Sequence, residues 1–350
     1  MAGRRPVAPC SAESAANLSA LSAEHWDQDD VNEYAGDHAV LPDGGYGALL
    51  HKLAAGIEVR YHSPVVAIES RDDGSAGSAG ELIRVVTMDE VHKAEAVIVT
   101  VPLGVLKRTP DEGGIRFEPP LPPAHLSAIS RLGFGLLNKV ALFFPKVFWP
   151  HQTDFFGRTA RDPKQRGRFF LFFNLHQSSG QPALLALIAG SAAQDLEKLD
   201  DDDVANEALD ALRTMFGKVP TGRASESRAA PRRTSRSPPR SAQVPKPKKV
   251  IVTRWGDDEY AYGSYSHIQV GASGRDYHTL EQPVNHRLYF AGEHTIEEHP
   301  ATVVGAHLSG LRAARKVHKR YQTTLSQGSG ASPDGAAASS SANGGGRTRR

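Results

Sequence analysis

The sequence predicts a mixed fold, an α/β layered domain joined to an α+β domain. Short β-branched or apolar runs recur between Ile57 and Ala291, and amphipathic stretches at helical spacing lie among them. The two kinds of element do not alternate as regular strand–helix–strand units. The 350 residues are 39% hydrophobic and 23% charged, which supports a sizeable core. The 33 Gly and 23 Pro gather in a few low-complexity stretches, so the folded part is smaller than the length suggests.

Residues 1–17 are rich in Ala, Ser and Pro without periodicity and are expected to be disordered. Residues 57–61 and 65–69 read as two short strands broken at Ser63-Pro64. The Gly/Ser/Ala run 74–80 reads as an exposed hairpin loop. Strands follow at 82–87 and 96–101, the second a continuous apolar run suited to burial. Pro122-Pro123 opens a helix through Leu132 with Leu126, Ile129 and Leu132 on its apolar side. Strands at 140–144, 169–173 and 184–189 make an aromatic-rich second layer.

Residues 202–216 form a helix with Val204, Ala208, Leu212 and Met215 on one face and acids at its start, where the dipole favours them. The Ser/Arg/Pro/Lys stretch 220–248 reads as a disordered insertion. Strands at 250–255 and 287–291 and a long helix at 302–319 complete the pattern, with a disordered tail over 321–350.

Lys+Arg 41 against Asp+Glu 39 gives a net charge of +2, which names no partner. The single cysteine, Cys10, excludes an intrachain disulfide framework and suits a reducing compartment. No apolar run reaches the ~20 residues of a membrane-spanning helix. The basic N-terminus lacks the apolar stretch of a secretory signal, so a soluble intracellular protein is expected. No His/Cys/Asp cluster has metal-ligand spacing.

Four segments could carry chemistry. In the first, a strand ends at Gly292, Glu293 follows, and a helix begins near Thr302 with Gly305, Ala306 and Gly310 on it. Small residues at a helix start let the backbone approach a flat ligand, and the positive helix end favours negative charge. Close packing of a helix on a sheet is the plainer reading of those glycines. In the second, Lys139 precedes an apolar strand in Leu137-Asn138-Lys139-Val140; burying its charge is costly without a partner, and an ordinary strand-edge lysine is the bland alternative.

In the third, Trp255, Tyr260 and Tyr265 could wall a pocket for a methylated ammonium, or could be core aromatics. In the fourth, Asp27, Asp29, Asp30 and Glu33 concentrate acid that is either a solvated loop or a rim attracting a basic substrate.

Phe290-Ala-Gly-Glu-His-Thr together with Pro300-Ala-Thr-Val-Val-Gly-Ala resembles the C-terminal flavin-binding signature of the flavin-dependent amine oxidases. Leu137-Asn-Lys and the stretch from Trp255 to Tyr265 resemble further segments of that family, from about Leu18 to about Arg320 outside the insertion. His25-Trp-Asp-Gln-Asp-Asp is similar to the lysine-specific histone demethylase branch in its plant-like form.

The resemblance implies an FAD/NAD(P)-binding Rossmann-like domain interleaved with an α+β substrate domain. The segments are 18–33 (substrate domain, acidic rim), 34–135 (FAD domain), 136–283 (substrate domain) and 284–320 (FAD domain). It implies FAD contacts at Val65 (adenine end), Thr100, Val101, Pro102, Trp255, Gly292, Glu293 (ribityl or pyrophosphate), Thr302 and Val303. It assigns Lys139 to hold a water near flavin N5 and Tyr265 to face the substrate amine, with Tyr260 at a further aromatic position. His267 and His299 stand where tyrosine is expected.

The implied reaction is hydride transfer from an N-methyl group of mono- or dimethyl-lysine, then hydrolysis to lysine and formaldehyde, with oxygen reduced to hydrogen peroxide. A histone tail as substrate, a nuclear location and a chromatin corepressor-type complex follow from the same branch. The family's opening Gly-x-Gly-x-x-Gly unit has no match here: Gly44-Gly-Tyr-Gly lacks a preceding apolar strand. A partial form, binding FAD poorly and marginally folded alone, is therefore expected. Two alternatives stay open, a polyamine oxidase of the same fold and a non-catalytic interaction module. In the second, the basic stretch 228–249 would touch nucleic acid or an import receptor.

Overall fold

A computed structural model describes residues 14–32, 41, 44–70, 82–160, 162, 165–217 and 244–328, excepting the side chains of 323–328. Two packed bodies share the chain, each built on its own sheet.

Helix α1 (Gly45–Leu53) comes first and buries none of its residues. Its apolar positions Tyr46, Leu49, Leu50 and Leu53 fall on one helical face and are all exposed. Strands β1 (Val65–Glu69), β2 (Ile83–Thr87) and β3 (Val91–Ala94) form an antiparallel meander. Then come β4 (Val97–Val99), the short helix α2 (Leu103–Leu106) and β5 (Arg116–Glu118), which runs parallel to β1 and closes a sheet of order β3-β2-β1-β5.

Helix α3 (Pro123–Arg131) starts at tandem prolines, whose fixed φ suits the first helical turn. It leads through β6 (Gly133–Gly135) into β7 (Leu137–Phe143). Strands β8 (Phe155–Gly157) and β9 (Leu171–Asn174), helix α4 (His176–Ser179) and β10 (Ala183–Ala189) follow. Next are α5 (Ser191–Glu197), α6 (Asp201–Phe216), β11 (Lys249–Val252) and β12 (Tyr265–His267). The chain ends in α7 (Gly274–Glu281), β13 (Leu288–Phe290) and α8 (Val303–Gly328).

The five-stranded sheet has the order β11-β7-β10-β9-β8 and is antiparallel throughout. Its centre is β10, Ala-Leu-Leu-Ala-Leu-Ile-Ala, a continuous apolar run that fits a strand covered on both faces. One face packs Val140, Leu142, Leu184 and Ile188 against Val204, Ala208 and Leu212 of α6. Asp200 caps α6 by accepting from Asp203 N at 2.8 Å, and three acids fill its first turn. Trp149, 1% exposed, closes this core and donates from Nε1 to Asn174 Oδ1 at 2.9 Å.

The other body packs Ile83, Leu103, Leu132, Tyr277, Leu280 and Phe290 into a single core. Within it β4 and β13 form a parallel pair, and β6 and β12 an antiparallel one.

Several expectations need correction. Residues 57–61 form no strand: Ile57, Val59 and Tyr61 are exposed, and the segment meets the edge strand β3 through the Arg60–His92 side chains without joining its ladder. Of the stretch expected to be disordered over 1–17, Ser14, Ala15 and Ala16 are buried. Their small side chains fit where Gly135 leaves no room for a Cβ, and Leu136 N donates to Ala15 O at 2.8 Å. At the end of the 220–248 insertion Val244 is buried and Lys248 N donates to Phe143 O, extending the β11–β7 ladder.

Helix α8 continues through 321–328, past the expected end at 319. Phe169 takes a positive φ of 49°, so the strand expected at 169 begins at Leu171. Leu126, expected in the core, is exposed. The expected loop 74–80, most of the 220–248 insertion and the tail beyond 328 lie outside the described residues.

Candidate active site

Strands β4 and β13 run parallel in the register Leu288↔Val97 to Phe290↔Val99, so their carboxyl ends lie side by side. Thr100, Val101 and Pro102 leave one strand there, and Gly292 and Glu293 leave the other. Ligands of parallel sheets bind outside such ends. Helix α2 then seats on the 255–263 loop so tightly that a Cβ at Gly104 would meet the Ala261 carbonyl oxygen.

Glu293 ties this edge to β12. Its Oε1 accepts from Ser266 N at 3.0 Å, and its Oε2 from Ser266 Oγ at 2.6 Å and Ala301 N at 2.8 Å. Three of the carboxylate's roughly four acceptor positions are thus taken by the protein. Burial raises its pKa, opposed by the bonds from Ser266 and Ala301. Ala301 turns the chain at φ 58°, and α8 begins two residues on. Thr302 Oγ1 caps the helix by accepting from Gly305 N at 2.9 Å, while Thr302, Val303 and Val304 stay exposed.

Ser266 sits beside Tyr265, which pairs with Gly135 across the β12–β6 ladder. Tyr265 also packs against the small cluster of Ala15, Leu137, Leu187 and Ala189. Leu187 is the cross-strand partner of Lys139, so Tyr265 and Lys139 flank one patch of the five-stranded sheet. Lys139 alternates with the buried Asn138 and Val140, which puts its side chain on the sheet face away from α6. It is half-buried there, and loss of hydration lowers its pKa from the ordinary lysine value. Lys139 N donates to Thr253 Oγ1 at 2.8 Å and Lys139 O accepts from Thr253 N at 3.0 Å, which brings the segment carrying Trp255 alongside. The indole is 41% exposed, and Trp255 O accepts from Gly263 N at 2.8 Å.

Lys139, Trp255, Tyr265, Glu293, Thr100–Pro102 and Thr302–Val303 are therefore joined by a continuous set of strand pairs and hydrogen bonds. Val65 opens β1 and packs on the core shared with Val97, Val99, Val101 and Phe290, and Tyr260 is 63% exposed beside Glu259, whose carboxylate raises its phenol pKa.

The acidic segment lies against the chain after β12 and the start of α7. Ser22 N donates to Ile268 O at 3.0 Å, and Gln28 and Glu297 both crowd Gly274. Burial raises the Asp29 pKa; Asp30 and Asp27 raise it further, while its own backbone and His299 lower it. Glu33 lies outside the described residues.

The sequence reading missed two groups. His294 is 2% exposed with no partner for Nε2, and burial lowers its pKa to about 4. His267 has both ring nitrogens unpartnered, and burial followed by the charge of Lys107 lowers its pKa to about 4. Only its place where a tyrosine was expected marked His267 out. A cavity of about 380 Å³ lined by Ile68, Phe117, Pro119, Leu126 and Leu288 contains none of the expected site residues. Among the described residues no group of three or more His, Cys, Asp or Glu could hold a metal ion, and no helix is long and apolar enough to cross a membrane.

A flat redox cofactor fits the residues present at one end. Trp255 is exposed, Val303 and Val304 are exposed at the helix start that follows the Glu293–Ala301 bond, and Lys139 has lowered basicity. Residues 2–318 match the family model described as flavin containing amine oxidoreductase, and the chain belongs to that family, whose cofactor is a flavin.

The chain is 43% identical over 300 residues to "Lysine-specific histone demethylase 1 homolog 2" of Arabidopsis thaliana, covering 86% of this chain and 36% of that protein. It is 44% identical over 310 residues to the protein of that name in Oryza sativa subsp. japonica, covering 88% and 36%. It is 41% identical over 298 residues to "Protein FLOWERING LOCUS D" of Arabidopsis thaliana, covering 85% and 34%. The chain thus spans about a third of the length of these relatives.

Proposed function

We propose that this chain forms part of an FAD-dependent lysine-specific histone demethylase that oxidises mono- and dimethyl-lysine. The observation that supports the reading is the run of strand pairs and hydrogen bonds that links the segments carrying Lys139, Trp255, Tyr265 and Glu293 to a parallel strand pair.

FAD, when bound, supplies a two-electron acceptor for the methyl C–H bond. In balance, methylated amine, oxygen and water give amine, formaldehyde and hydrogen peroxide. Trp255 and Val303 offer apolar surface to the ring, and the first amides of α8 favour negative charge at its edge. The remaining acceptor position of Glu293 suits a ribityl hydroxyl. Lys139, its basicity lowered by burial, holds a water close to the reacting carbon. Tyr265 offers an aromatic face to the substrate ammonium, which must lose a proton to react. A trimethylated lysine has no lone pair to free and should not turn over.

The acidic segment Asp27, Asp29, Asp30 favours a Lys/Arg-rich histone tail over a small polyamine. The names of the relatives favour the same substrate, and with it a nuclear site and a chromatin complex. The Rossmann-like form of the flavin domain belongs to this proposal, as does the placement of Val65 near the adenine.

The test compares peroxide and formaldehyde release on a dimethyl-lysine histone-tail peptide, its trimethyl form and spermine, after a flavin spectrum of the purified chain. Turnover of spermine in preference to the peptide supports the polyamine reading. A colourless chain that retains FAD from no concentration supports the interaction-module reading.

A further inference from the structure

Asn138 is fully buried, next to Lys139, and makes three side-chain hydrogen bonds. Its Nδ2 donates to Glu197 Oε1 at 2.7 Å. Its Oδ1 accepts from Thr253 Oγ1 at 3.0 Å and from Trp255 N at 3.0 Å, which uses both lone pairs. Glu197 Oε1 also accepts from Gly256 N at 2.8 Å. A Cβ at residue 256 would push the Glu197 carboxylate aside. Glu197 is the last residue of α5, where the helix dipole disfavours a negative side chain. Its position is therefore explained by its two acceptor bonds and not by the helix that carries it.

The pair thus spans three elements, β7, α5 and the loop after β11, and fixes two consecutive backbone amides of that loop. Thr253 completes the circuit by accepting from Lys139 N while donating to Asn138. Because Oδ1 and Oε1 each take two donors, neither partner can move without leaving a buried N–H unpaired.

We propose that Asn138 and Glu197 are positioning residues that set the indole of Trp255 relative to Lys139. Neither touches the reacting groups. The inference rests on the proposed oxidase reading for its meaning, and on the hydrogen bonds alone for its geometry.

The test uses the full chain labelled with 5-fluorotryptophan, whose three resonances are assigned with Trp26→Phe, Trp149→Phe and Trp255→Phe. Asn138→Asp sets two carboxylates face to face. It should shift the Trp255 resonance beyond its linewidth and raise its solvent-isotope shift, while the Trp149 resonance, a reporter of the folded core, stays in place. Adding Glu197→Gln restores a donor between the two positions and should return Trp255 towards its parent resonance. Glu197→Gln alone should give a smaller shift of the same kind.

A Trp255 resonance unmoved in Asn138→Asp, with a lowered urea midpoint, would overturn the proposal by showing a purely structural pair. So would a double variant that stays as displaced as the single one. If Asn138→Asp loses the Trp149 reporter, Glu197→Ala, which removes the acceptor of both bonds, decides against the parent, and an unshifted Trp255 there refutes the idea. The Trp255 resonances are read without flavin, so their outcome stands whatever the turnover comparison of peptide and spermine says of the oxidase reading.

Discussion

Protonating His294 should destabilise this protein, and the size of the effect follows from its burial. The ring is 2% exposed, its Nε2 has no partner, and burial lowers its pKa to about 4. In the unfolded chain the same ring titrates at the ordinary histidine value of about 6.5. A folded pKa below the unfolded one means that the folded state holds the neutral ring. The stabilisation is fully present above the unfolded pKa and is lost as pH falls from there towards the folded pKa. At about 1.4 kcal/mol per pKa unit, the ring removes about 2 kcal/mol of stability between about pH 7 and about pH 5. Glu293 and Asp29 carry raised pKa values and act with the opposite sign, so the parent's total slope mixes both effects. The difference between parent and His294→Ala isolates the histidine. Urea unfolding by circular dichroism at several pH values should show the variant less stable at neutral pH, where it leaves a cavity, yet flatter below. A variant with the parent's slope from neutral to about pH 5 would refute the reasoning.

Lys139→Met should leave flavin uptake intact and lower peroxide release on a dimethyl-lysine peptide by roughly 10²-fold, the scale of a lost proton-handling group, read by coupled peroxidase assay. Asn174→Ala removes the acceptor of the buried Trp149 indole and should cost about 1–3 kcal/mol in urea unfolding, with Trp149 emission changed in the folded state. Gly104→Ala drives a methyl group into the Ala261 carbonyl and the Phe134 ring, and should cost roughly 1–3 kcal/mol in the same assay. Neutralising Asp27 and Asp30 together to Asn should slow association of a basic histone-tail peptide and flatten its salt dependence in stopped-flow fluorescence; an unchanged salt slope would remove the acidic rim from substrate capture.

Most of the fold was legible where one element decided its own burial. The apolar run of β10, the acid-led α6 and the tandem prolines before α3 each carry a local physical signal strong enough to name the element. Residues 57–61 show the limit of that logic. Ile57, Val59 and Tyr61 alternate as a strand should, yet all three are exposed and no ladder forms. Alternation tells which side of a strand is apolar; it does not supply the backbone pairing that turns an extended segment into a sheet. The reverse error fell on Ser14–Ala16, whose small side chains look like linker and instead fill gaps left by Gly135 and Gly190. Helix α7 was missed although its capping box, Ser273 with Asp276, is local. Its buried residues Tyr277 and Leu280 are too few to make a periodic pattern.

The candidate site was legible by resemblance and hardly at all by physics, for a reason visible in its construction. Lys139 and Trp255 lie 116 positions apart in the chain, and their segments are joined by the bonds of Thr253 to Lys139 and Asn138 and of Trp255 N to Asn138 Oδ1. Glu293 reaches Tyr265 only through Ser266, a residue type that turns and loops use freely. Polar residues that join segments leave no period behind them, so sequence pattern is silent about exactly the contacts that bring a site together. Glu197 is the sharpest case: it reads as an ordinary surface acid in a helix, and its placement at the wrong end of the dipole is the one local hint that it serves another element.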